Sequence, residues 1–132
     1  MKRIRIMILV LACLIASSFI ECEAQEVKLK IEVDERLHSI MDHFILHAEA
    51  YELDTRRFEK LVLVRFASVE ELSLITDKWI AGVTRYDLIT DTYKIYLSEE
   101  IIQYGYEFIE IVLYHELWHT YANDEKHCDE PE

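Results

Sequence analysis

One stretch, from Tyr106 to Ala122, constrains this chain more than any other. Its apolar residues, among them Phe108, Ile111, Leu113, Leu117, Trp118 and Tyr121, cover most directions around a helix, so the segment is expected in the interior. Three polar residues interrupt it at fixed spacing: His115, Glu116 and His119, in the run His-Glu-Leu-Trp-His. At about 100° per residue, positions four apart lie about 40° from each other, so both imidazoles leave one face a turn apart and can share a metal. Glu116 stands one step round from them. That offset lets it act on a water at the metal as general base without becoming a ligand. The alternative is a core helix with two satisfied histidines, but burying three polar groups without a role costs on the order of 1–3 kcal/mol each. Zn2+ is the favoured ion, because imidazole nitrogen suits it and its catalytic sites keep one position open.

A further protein ligand is needed, and thirteen residues follow His119. The candidates are Asp124, Glu125, His127, Cys128 and Asp129, or a residue upstream. A longer form of the motif, with its ligand six residues past the second histidine, would use Glu125. His127, eight residues past His119, is far enough along for a chain leaving the helix near Asn123 to turn back.

Residues 114–129 (YHELWHTYANDEKHCD) resemble the motif line of small exported zinc metallopeptidases of bacterial cell envelopes, which are similar to metzincins. In that family HExxH is followed by a short irregular stretch, a His with an acidic neighbour, and a Met-containing turn. The resemblance implies a zincin-like fold, peptide hydrolysis, His115, His119 and His127 as metal ligands, and Glu116 as catalytic base. It also implies a sheet edge beside the active helix, for which residues 93–97 are the candidate, pairing with an extended peptide or protein substrate. Trp118 stands where that family usually has Gly, and no Met follows the motif before Glu132.

Around this helix the pattern reads as α+β: a small mixed sheet packed on two main helices, the C-terminal one carrying HExxH. Residues 25–33 alternate as a half-buried strand, and from Asp34, an available N-cap, a helical period runs to about Glu52. Residues 60–66, 79–86 and 92–97 have the β-branched and aromatic density of strands, the last two forming a hairpin or meander around 87–91. Residues 67–77 read as a turn with a short helix. Ser98 followed by Glu99 and Glu100 marks a helix start that Gly105 interrupts.

Residues 1–24 read as an export signal, with Lys2, Arg3 and Arg5 ahead of an apolar run over 6–20 and small or polar residues behind it. The run is shorter than the roughly 20 apolar residues that a bilayer span needs. Cleavage after Ala24 leaves one domain over 25–132. Alternatively, Val10-Leu11-Ala12-Cys13 resembles a lipobox, which would end the signal before Cys13 and leave a lipid anchor there. The expected location is outside the cytoplasm: secreted, periplasmic or on the cell envelope. With Cys13 and Cys22 in the signal, Cys128 has no internal disulfide partner.

The chain has 26 acidic against 14 basic residues, a net charge of −12. That balance argues against nucleic acid, whose phosphates are bound by Lys and Arg. His43 and His47 are also four apart, but no Glu stands between them in the motif position and they read as a helix boundary. Tyr93, Tyr96, Tyr104 and Tyr106 read as packing residues, one of which could serve an oxyanion. The rival to a peptidase is a non-catalytic exported zinc-binding protein on the same fold.

Overall fold

Asp34 ends the first strand and begins the first helical segment through one carboxylate. It accepts from the backbone N–H and the guanidinium of Arg36, at 3.0 and 2.7 Å, so a 3-10 turn at Glu35–Leu37 leads into helix α1, His38–Ala50. The computed structural model describes residues 30–122. Within them the order is β1 (Glu32–Val33), α1, β2 (Leu61–Ala67), α2 (Val69–Ser73), β3 (Gly82–Asp87), β4 (Thr92–Ser98) and α3 (Tyr106–Ala122), with 3-10 turns at Thr55–Phe58 and Glu99–Tyr104. The described residues are therefore mixed α/β, with one four-stranded mixed sheet and helices.

Strand order is β1-β2-β4-β3. The pairs β1–β2 and β2–β4 are parallel, whereas β3 and β4 form an antiparallel hairpin. Asp87 shapes the hairpin turn, its Oδ1 accepting from the N–H groups of Ile89 and Thr90. Alternation places Tyr93, Ile95 and Leu97 of β4 in the core and leaves Thr92, Lys94 and Tyr96 half-buried on the other face. Leu37, Ile40 and Met41 from the α1 segment and Leu113 and Leu117 from α3 complete that core.

Three expectations are corrected. The strand expected from Trp79 begins at Gly82, and Trp79 is 62% exposed, its indole N–H donating to Glu100. Residues 93–97 are not an edge. They lie in β4, which is hydrogen-bonded by β2 on one side and β3 on the other, so among the described residues the edge beside α3 is β3. Finally, α3 is not enclosed. It buries only Leu113, Glu116, Leu117 and Thr120, while Ile111 is 67% and Trp118 58% exposed. A helix laid on one face of a small sheet has a far side, and here that side carries Ile111 and Trp118.

Of the first predicted strand, Glu32–Val33 is seen, and residues 25–29 lie outside the described residues. The capping residues behave as their chemistry suggests. Ser68 and Glu71 form a capping box on α2, Ser98 accepts from the Glu100 N–H, and Gly105 at φ +90° closes the 3-10 turn ahead of α3.

Candidate metal centre

The burial of two leucines aims the two imidazoles. Leu113 and Leu117 have no exposed surface, and Leu117 sits two residues from both His115 and His119, about 200° round the helix. Packing the leucines on the sheet therefore turns both histidines outward. Their Nε2 atoms converge to 3.0 Å, with the rings edge to face at 4.6 Å between centroids. His115 is exposed and His119 half-buried. A contact of this kind needs one N–H and one lone pair, and a metal that takes lone pairs from both nitrogens would replace the shared proton. The donor chemistry fits zinc, for which imidazole nitrogen is a common ligand.

Glu116 turns the other way, toward β3, and is 3% exposed. Thr84 on β3 donates its hydroxyl to Glu116 Oε2 at 2.6 Å, with the Glu116 backbone carbonyl also within 3.0 Å. Two residues earlier on the same face, Gly82 lets the strand lie directly on the helix. A Cβ there would come within 3.0 Å of Leu97 and Val112 and 3.1 Å of the Glu116 side chain. Gly82 and Thr84 thus seat the carboxylate, and neither was singled out from sequence. An isolated glycine within a strand pattern was the available signal for a close backbone approach; for Thr84 there was none.

The remaining sequence candidates fall elsewhere. His127, Glu125, Asp124, Cys128 and Asp129 lie outside the described residues, as do Cys13 and the export segment. Among the described residues no three His, Cys, Asp or Glu side chains gather to hold a metal. His43 and His47 are exposed on α1, where Tyr106 and Tyr114 of α3 meet their Nδ1 atoms at 3.3 and 3.0 Å. Burial, with the charge of Glu110 and then Tyr106 adding to it, raises the pKa of Tyr114, which keeps its hydroxyl proton available to His47. Of the four tyrosines noted above, Tyr93 packs on Tyr86 in the sheet, Tyr96 lies under the Arg65 guanidinium, Tyr104 packs on Phe108, and Tyr106 joins the helices.

No helix among the described residues is long and apolar enough to cross a membrane. No protein-family model matches the chain, and neither a curated protein nor a solved structure matches it.

Proposed function

We propose that this chain is an exported zinc-dependent metallopeptidase of zincin-like fold, with His115, His119 and His127 as metal ligands and Glu116 as general base. The observation that carries the reading is the pair of Nε2 atoms 3.0 Å apart on the outer side of α3, with the Glu116 carboxylate one residue away. His115 and His119 would hold the ion through those nitrogens. When bound, zinc supplies a Lewis acid that acidifies water and polarises a peptide carbonyl. Thr84 holds the Glu116 carboxylate through Oε2. As general base, Glu116 would take the proton from the attacking water and pass it to the leaving amine once the carboxylate turns from β3 toward that water. The edge strand β3 offers backbone groups for an extended peptide to pair with, next to the base that it seats.

The non-catalytic zinc-binding reading has one feature in its favour. Glu116 is buried and already bonded to Thr84, an arrangement that a purely structural carboxylate would also adopt. The variant Glu116→Gln separates the two. It is expected to keep zinc and fold while hydrolysis of unstructured peptides falls by about 10²–10⁴, and a chelator should stop the wild type reversibly. Equal cleavage by variant and wild type defeats the base assignment. A zinc-replete wild type that cleaves none of a broad peptide panel is the binding protein instead.

A further inference from the structure

Exposed apolar residues scattered singly need no explanation, but two of those on α3, Ile111 and Trp118, lie beside the imidazoles. At about 100° and 1.5 Å per residue, Ile111 and Trp118 lie about 20° apart on one line. That line runs about 40–60° from His115, on the flank opposite Glu116. Ile111 sits about 6 Å before His115 along the axis and Trp118 about 4.5 Å after it, so the two bracket the first imidazole. They are 67% and 58% exposed.

Trp118 is also held in place. Its indole stacks on Tyr121, with ring centroids 5.5 Å apart and 24° between planes, and Tyr121 is itself packed by Phe58 and Arg57. The Arg57 guanidinium lies 4.8 Å from the Tyr121 ring centre and donates to the Tyr121 carbonyl at 3.2 Å. A ring fixed by a stack of this kind loses little freedom when a ligand covers it. The imidazole pair therefore has an apolar flank made of Ile111 and Trp118, on the side away from β3 and the buried Glu116.

We propose that Ile111 and Trp118 are the specificity surface of the peptide site and select substrates with a bulky apolar side chain next to the scissile bond. The proposal rests on the peptidase-site reading given above. A peptide whose carbonyl lies at the imidazoles and whose backbone follows β3 turns one neighbouring side chain toward the opposite flank. Leu and Phe there cover Ile111 and the Trp118 face; Gly leaves both wet, and Glu places a charge against them.

The test uses the full chain carrying Glu116→Gln, loaded with zinc, and fluorescein-labelled short peptides that differ only in the residue on either side of a central bond: Gly, Glu, Leu or Phe. Binding is read by anisotropy. Leu and Phe peptides are expected to bind roughly 10–100-fold more tightly than Gly or Glu peptides, and Trp118→Ala should shrink that ratio to about threefold or less. Ile111→Ser, a second variant on the same flank, should narrow it as well, with circular dichroism and zinc content confirming that each variant is folded and loaded. Discrimination in binding without wild-type cleavage keeps Ile111 and Trp118 as the surface that selects the peptide side chain and removes the peptidase reading, and with it the selection of a scissile bond. Glu116-dependent cleavage with no discrimination does the reverse. An unchanged ratio in both variants, no binding by any peptide, or self-association through Trp118 that excludes peptide overturns the proposal.

Discussion

Replacing Thr84 by Val tests whether β3 seats the carboxylate of α3. The side chain keeps its shape and loses its only polar atom, while Glu116, 3% exposed, loses the 2.6 Å donor to its Oε2. A hydrogen bond to a charged group contributes about 1.5–3 kcal/mol, and a buried carboxylate left without its donor loses the whole of it. For a domain of this size, about 2 kcal/mol lowers the melting temperature by roughly 10 °C. Thr84→Ser keeps the hydroxyl and sacrifices a methyl group, so it should lose about 1 kcal/mol or less. Thermal and urea unfolding of the three proteins, with zinc affinity measured alongside, provide the comparison. The Val variant should be the least stable and should lose activity beyond its stability loss, because Glu116 is no longer oriented. If Val and Ser variants unfold together, within error of wild type, Thr84 does not hold Glu116 and the account of the site is wrong.

His115→Ala and His119→Ala should each abolish the binding of about one zinc per chain, read by metal analysis after dialysis; undiminished zinc in both would remove the metal assignment. His127→Ala should weaken zinc affinity far more than Glu125→Ala, and the reverse order in a competition titration would make Glu125 the third ligand. The Arg36 side-chain hydrogen bond holds the pKa of Asp34 down to about 2 against a usual 3.8. A depressed carboxylate stabilises the fold above about pH 4 and loses that contribution as the pH falls toward 2. Because Arg36 is 53% exposed, the effect is about 1 kcal/mol rather than the full conversion of the shift. Asp34→Asn should therefore be less stable than wild type near pH 6 and equal to it near pH 2 in urea unfolding, and a constant difference across that range would refute the linkage.

Some of the site was legible from local chemistry alone. The span of α3, the cap at Asp34, the helical start at Ser98, and the shared face of His115 and His119 all follow from relations within four residues. A helix turns about 100° per residue whatever surrounds it, so spacing was enough to bring the two Nε2 atoms to the same face. The hairpin around 87–91 was legible for the same reason, since its turn is closed by the side chain of Asp87 within the turn itself.

What the sequence by itself could not decide was everything that depends on a partner far along the chain. An apolar pattern on all sides of a helix fits an enclosed helix and equally one whose outer face flanks a site, and only its docking on one side of the sheet left Ile111 and Trp118 in solvent. Residues 93–97 have the apolar alternation of any well-packed strand; the pairing of β2 with β4, about thirty residues apart, put them in the middle and sent β3 to the edge. Gly82 and Thr84 reach Glu116 across more than thirty residues of chain, and the site needs that approach because a buried carboxylate must find a donor. Short-range geometry determined which residues share a face, and tertiary packing decided which faces are wet and what seats Glu116.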